Sequence, residues 1–461
     1  MYHHPVSDFR TDHEVSHSLA DVLSGFSYAL DLTEGQPAGH SVRACVIAMR
    51  LAQALGVSQA ERGDLYYAVL LKDLGCSSNA ARVAEIFLSS DLHMKSNFKR
   101  IGQTEGEFIA FISAETGKDA PEAARARAMQ QIVESGAQLL GGLVETRCHR
   151  GAAIARQLRF SDDTAQAIFS LDEHWDGGGL PLGLQGEAIP LGARLALLAQ
   201  VADVFHVMGG AQAARAEIAA RSGTWLDPRL CDAFLAISRD ARFWTSLAEG
   251  EAEAQLRRLE PETHLVVVDE DYLDDITDAF GQVIDAKSPF TGGHSARVGH
   301  YTLGVARELG MDAERVRRLR RAAVLHDVGK LGVSSRILEK PGKLDDGEWI
   351  EMRSHAGLTG EILGRVGVMR DLAMIAAAHH ERLDGKGYPL SLDQSAIALE
   401  SRIITVADIY DALTADRPYR AAMPIDQALG ILDEEAGPAV DPACLAALKT
   451  VIAAEQTRAA A

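Results

Sequence analysis

The chain repeats itself, and no other feature restricts its fold as much. "GHSVR" at 39–43 returns as "GHSAR" at 293–297, and "KDLG" at 72–75 returns as "HDVG" at 326–329, both at an offset of 254 residues. One register shared by two separate phrases marks a duplicated structural unit rather than a chance match of short words. Farther on, "DEHWDGGGLP" (172–181) aligns with "HERLDGKGYP" (380–389) at an offset of 208, and "VADVF" (201–205) with "VADIY" (406–410) at 205. Pairing His149 with His355 places an insertion of about 48 residues in the first copy, expected inside 80–140. At 461 residues the chain is too long for one small compact core. The expected division is therefore 1–250 and 265–461, with the boundary near 245–265, where charged residues crowd and Pro261 breaks the pattern.

The periodicity is helical almost throughout, so the expected fold class is all-α, two related helical domains with the first copy degenerate. "SARVGHYTLGVARELGMD" (295–312) places Val298, Tyr301, Val305 and Leu309 on one stripe and stops at Gly310, and Asp312 is positioned to cap the next helix. The best strand-like run is "THLVVVDED" (263–271), in the seam between copies. A hydrophobic share of 47% with 24% charged residues is that of a globular protein. The formal net charge of −19 disfavours a broad basic surface, so no DNA partner is expected. No run of 18 or more uncharged apolar residues is present, the N-terminus lacks a signal-peptide layout, and the five cysteines are scattered without a CxxC. Together these lead to the expectation of a cytoplasmic protein without a membrane partner.

The second copy concentrates imidazoles and carboxylates at ordered spacings: His294, the pair His326-Asp327, His355, the pair His379-His380, and Asp408. Neutral imidazole and carboxylate suit a borderline divalent transition metal, and one aspartate can bridge two such ions. Adjacent residues on a helix diverge by about 100°, so His379 and His380 can serve one centre only where a helix ends or bends. The "DGKGYP" that follows supplies such an ending.

"HDVGK" (326–330) and "HHERLDGKGYP" (379–389) resemble the signatures of the HD superfamily of metal-dependent phosphohydrolases, and of its HD-GYP branch in particular. The resemblance runs through roughly 270–425. It implies hydrolysis of a cyclic dinucleotide, chiefly cyclic di-GMP to linear pGpG and onward to GMP, by a hydroxide that two metals activate. The alternatives are a 3',3'-cyclic GMP–AMP phosphodiesterase and a non-catalytic sensor of cyclic dinucleotides. By the same resemblance His294, His326, Asp327 and Asp408 hold one metal, and Asp327 bridges to a second held by His355, His379 and His380. Asp327 and Lys330 are the implied catalytic residues. Arg417, Arg420 and, more weakly, Arg297 are the implied substrate contacts. Iron or manganese is the implied metal. Phe290 stands where three-metal members carry an acid, which implies two metals here. A homodimer and a protein partner at the GYP loop, where Tyr388 either packs or faces outward, complete the expectations.

The first copy reads as a spoiled version. His40, Asp73, His149 and Asp203 pair with His294, Asp327, His355 and Asp408, while Lys72 replaces His326, Cys76 replaces Lys330, and Leu171-Asp172 replace His379-His380. An ammonium cannot ligate a cation, so Lys72 is expected to pair with Asp73 or Asp203 in place of a metal. A regulatory or dimer-contact role is expected for this half.

Overall fold

The computed structural model describes residues 18–101, 105–261, 268–289, 292–416 and 421–460. Among the described residues there are helices and turns but no strand; the isolated bridges include Ser222–Leu226 and Ala436–Val440, one in each half. The described part of the strand-like run is not a strand: Val268 and Asp269 are extended coil, and Glu270 opens a helix. Asp269 accepts a bond from the Tyr272 amide there and so caps the helix that Glu270 opens; residues 263–267 of the run lie outside the described residues.

The duplication appears as a local two-fold relation. Phe26, on the helix Leu19–Thr33, stacks on Phe280, on the helix Glu270–Asp285, with centroids 4.1 Å apart and planes at 18°. These two residues are separated by the repeat offset of 254, so equivalent positions touch each other across the axis. The Leu19–Thr33 helix packs on the Val328–Gly332 turn of the other half, and the Glu270–Asp285 helix packs reciprocally on the Cys76–Asn79 turn. One apolar core therefore runs continuously through both copies.

The insertion in the first copy forms the helices Ala80–Phe87, Asp91–Phe98 and Glu105–Glu115 and the start of the 36-residue helix Glu122–Gln157. It has a small core of its own, built on Phe87, Met94, Ile112 and Leu143. The buried Asp91 reaches into the second half, where its carboxylate accepts bonds from Lys287 Nζ (2.6 Å) and the Ser335 amide (2.7 Å). One helix, Leu191–Ala220, is long and apolar enough to cross a membrane by length and composition, though charged residues interrupt it. Its first half is buried in the core and bears Arg194 and Asp203, and it breaks at Gly209-Gly210, so its apolarity is accounted for by packing.

Replacing either Phe26 or Phe280 by alanine is expected to cost about 3–5 kcal/mol. The double replacement should cost less than the two single losses together, by about 0.5–1.5 kcal/mol, because the ring pair is lost only once. Denaturant unfolding of the four proteins measures this, and strict additivity would contradict the stacked pair.

Candidate metal centre

The centre is assembled by close backbone contact around one motif. The helix Ala313–Leu325 ends at His326, which caps it, and Asp327 follows directly. A Cβ on Gly329 would lie 2.0 Å from the His355 carbonyl oxygen, so only glycine lets the helix Asp346–Arg365 run across the motif. Thr359 locks that crossing by donating to the His326 carbonyl (2.8 Å) and accepting from the Gly329 amide (3.0 Å). After Leu372–Ala377 the chain tightens into a 3₁₀ turn, Ala378–His380, which turns both adjacent histidines toward one region. Thr405, on the helix Leu399–Thr414 that carries Asp408, donates to the His379 carbonyl (2.8 Å). The GYP loop folds back beneath: Glu381 accepts from the amides of Leu390 and Leu392, and a Cβ on Gly387 would lie 2.4 Å from the Arg382 nitrogen.

Asp327 stands at the middle, almost without solvent. Its Oδ2 lies 3.4 Å from His294 Nε2 and 3.3 Å from His326 Nε2, and its Oδ1 lies 3.4 Å from His355 Nε2 and 3.8 Å from His379 Nε2. Asp408 Oδ1 is 3.4 Å from His294 Nε2. His355, His379 and His380 form a second tight group. Four of these imidazoles use Nδ1 elsewhere: His326, His355 and His379 on the carbonyls of Ala323, Met352 and Ala376, and His294 on Asp411 (2.7 Å). Nδ1–H donation leaves each Nε2 as the lone-pair nitrogen facing inward. The Nε2 atoms of all four, with Asp327 Oδ1, are buried and have no hydrogen-bond partner. Buried polar atoms without partners are costly, and here they converge from opposite sides on one carboxylate. The donor set and its division between the two oxygens fit a pair of divalent cations.

The electrostatics agree. Burial pushes every imidazole toward its neutral form, but at His326 the carboxylates of Asp327 and Asp408 outweigh it and hold the pKa up at about 10. At His294 burial is likewise outweighed, by Asp327 and Asp411. On the other side burial dominates, and the Lys330 ammonium adds to it, so His355 falls to about 4 and His380 to about 3. Burial alone would raise Asp327, yet Lys330, His326 and His294 hold it well below the usual carboxylate range; without metal the His326 Nε2 is therefore protonated, and it offers its lone pair only when a cation displaces that proton.

The structure thus brings together His294, His326, Asp327, His355, His379, His380 and Asp408. Lys330 joins them with its ammonium on Asp327 Oδ2, its side chain 18% exposed. Arg297 goes elsewhere: its Nε and Nη2 hold Asp411 (2.6 and 3.0 Å) and its Nη1 the Gly292 carbonyl, so the guanidinium expected on substrate is a clamp for the residue that orients His294. Arg417, Arg420 and Phe290 lie outside the described residues. Tyr388 packs inward, its ring 4.7 Å from that of His380, with the Arg353 guanidinium over it.

Two pairings in the first half need correction. Gly75 meets Arg147 as Gly329 meets His355, with a Cβ 1.9 Å from the carbonyl oxygen, so Arg147 occupies the His355 position and His149 lies on the exposed side. Asp203 binds His40 Nδ1 (2.7 Å) and Arg43, as Asp411 binds His294 and Arg297, so Asp203 corresponds to Asp411 and Gln200 stands at the Asp408 position. The register is 208 from Arg147 through Asp203, and the insertion is 46 residues. Of the seven ligand positions the first half keeps only His40 and Asp73. Lys72 bonds to Asp73, not Asp203, and Arg147 pairs with Asp172. The role of Asp411 escaped sequence reasoning because the "VAD" match hid the steadier register, which the paired "DG.G.P" loops already carried.

The HD-domain family profile matches residues 142–230 and 278–444. The 3'3'-cGAMP-specific phosphodiesterase 3 of Vibrio cholerae is 47% identical over 94% of this chain and 94% of its own length. The cyclic di-GMP phosphodiesterase response regulator RpfG of Xanthomonas campestris is 43% identical over 34% of this chain and 43% of its own. A crystal structure of a cyclic GMP-AMP specific phosphodiesterase from V. cholerae superposes with a TM-score of 0.66 at 43% identity, covering 95% of this chain and 98% of that one. The chain belongs to the HD-domain family, in the HD-GYP branch of metal-dependent phosphohydrolases. It is a cyclic dinucleotide phosphodiesterase with a degenerate HD-like first half.

Asp411→Asn should weaken metal binding by about 10–100-fold, since the partner that orients His294 is lost while every direct donor remains. Competition against a chelator of known affinity measures it, and an unchanged affinity would contradict the orienting role. Metal uptake should also release protons. His326, held at about 10 without metal, is protonated at neutral pH and must lose its proton to bind, so affinity should rise with pH. Calorimetry in two buffers of different ionisation enthalpy reads the release, and proton-neutral uptake would contradict it.

Proposed function

We propose that the second half hydrolyses 3',3'-cyclic GMP–AMP to a linear dinucleotide, in place of cyclic di-GMP, the substrate expected from the motifs alone. The observation that carries this reading is coverage. The relative that aligns with 94% of this chain is named for cyclic GMP–AMP, whereas those named for cyclic di-GMP align with about a third of it. The motif-bearing half is common to both kinds of relative, so it supports the reaction class without choosing the base.

His294, His326, Asp327 and Asp408 are the residues to hold one divalent cation, with Asp327, His355, His379 and His380 for the other; iron and manganese are the candidates. Bound there, such a pair supplies Lewis acidity and a nucleophilic water at neutral pH. The chain's own residues orient and enclose that chemistry. Asp411 and the carbonyls of Ala323, Met352 and Ala376 fix the imidazole tautomers. Lys330 stands beside Asp327 with its ammonium partly exposed, where it offers a positive charge to the scissile phosphate. Tyr388 and Arg353 wall the His380 side. Arg417 and Arg420 are the candidate phosphate contacts beyond the described residues. The first half takes no part in the chemistry, because Lys72 and Arg147 stand where two imidazoles would be needed.

Product analysis on the metal-loaded protein tests the reading. Cyclic GMP–AMP should be opened faster than cyclic di-GMP, and Asp327→Ala should lower the rate by about 10³-fold or more, because both cation sites lose their shared ligand. A faster rate on cyclic di-GMP would overturn the substrate, and full activity in Asp327→Ala would overturn the site.

A further inference from the structure

The first half contains a cavity of about 330 Å³ at the place where the second half carries its metal centre. Arg147, Asp172 and Gln200, the counterparts of His355, His380 and Asp408, line it, and the Gly178–Leu180 stretch, counterpart of Lys386–Tyr388, forms one wall. The duplicated cleft has lost its metal ligands and remains open.

Three features have taken the ligands' place. The first is positive charge. Lys95 and Lys99 reach in from the inserted Asp91–Phe98 segment, 3.4 and 2.8 Å from Glu34, and Arg147 and Arg221 add two guanidinium groups. The lining cations outnumber the lining carboxylates, Glu34 and Asp172, in a chain of net charge −19. A cavity wall of that sign selects an anion. The second is a planar column: the Trp225 ring carries His174 at 4.2 Å and 16°, and the Arg221 guanidinium at 4.1 Å. Burial lowers the His174 pKa to about 4, which leaves a neutral imidazole for stacking. The third is Gln200, only 6% exposed, whose amide oxygen has no hydrogen-bond partner. A buried acceptor left open beside a stacking surface is a position for the N–H edge of a planar ring.

We propose that this cavity binds a nucleoside monophosphate, with the phosphate at Lys95, Lys99 and Arg147, the base on the His174–Trp225 column, and the base edge at Gln200. A volume of about 330 Å³ lies at the small end of ligand sites and matches one nucleotide unit. The proposal does not depend on the substrate assigned to the second half. The helix that supplies Lys95 also carries Asp91, four residues earlier, which bonds Lys287 and Ser335 of the second half.

The test uses the full chain, freed of metal by chelation and carrying Asp327→Ala to silence the second-half centre. Calorimetric titration with AMP, GMP, guanosine, inorganic phosphate and cyclic GMP–AMP should find one mononucleotide per chain. The nucleoside and the phosphate alone should each bind at least about tenfold more weakly. Val144→Trp, which fills the cavity from the Glu122–Gln157 helix without removing a charge, and Lys99→Met should each weaken binding by about tenfold or more. Thermal unfolding checks that Val144→Trp is folded, and Lys99→Met carries the test if it is not. No binding of either mononucleotide, undiminished binding in both variants, or binding of a cyclic dinucleotide alone would overturn the proposal.

Discussion

A carboxylate with almost no access to water, Asp327, faces imidazole nitrogens on both of its oxygens, and the second half is organised around satisfying it. An isolated buried anion is untenable, so positive charge must come from somewhere. The surrounding elements are built to bring it: glycine at 329 lets a helix cross at backbone contact, Thr359 and Thr405 tie separate elements to the histidine carbonyls, and Asp411 turns His294 inward. In the absence of a cation Lys330, His326 and His294 carry the charge, which is the state the pKa directions describe.

The first half meets the same constraint in another way. Asp73 is as buried as Asp327, and Lys72 neutralises it from the neighbouring position, with Lys99 3.8 Å away. Two of the exchanges, Lys72 for His326 and Arg147 for His355, replace a group that needs a cation with a group that is one. The scaffold around them is unchanged: the His40–Asp203–Arg43 clamp matches His294–Asp411–Arg297, and Asp31 accepts from Ser41 as Asp285 accepts from Ser295. A permanent internal ion pair preserves the fold without metal, and the fold is needed because Phe26 and Phe280 join the halves into one core.

Much of this was legible in the sequence, for identifiable reasons. Ligand residues of a metal centre are few in kind and ordered along the chain, so "HDVGK" and "HHERLDGKGYP" reveal the second-half site and its helical setting. The bridging place of Asp327 is what the resemblance of those motifs implies, not something its position along the chain reveals. What escaped were the residues that orient the ligands. Arg297 and Asp411 are polar groups near a motif, and only the fold reveals that they hold each other. The misaligned "VADVF" illustrates the limit: three matching letters outweigh a register that the glycine–proline loops carry, and Asp203 is paired with the wrong acid. His149 failed likewise, because one face of a helix cannot be told from another by a single residue type. The joining of both copies into one core rests on contacts between residues 254 apart, and periodicity within a helix carries no information about them.

The central claim is that one half of a duplicated fold holds cations where the other holds its own positive side chains. Anomalous diffraction from crystals of the full chain loaded with manganese tests it most directly. The account predicts two peaks per chain, both in the second half and flanking Asp327, with none beside Asp73. A peak coordinated by Asp73 and His40, or a single peak in the second half not in contact with Asp327, would contradict it.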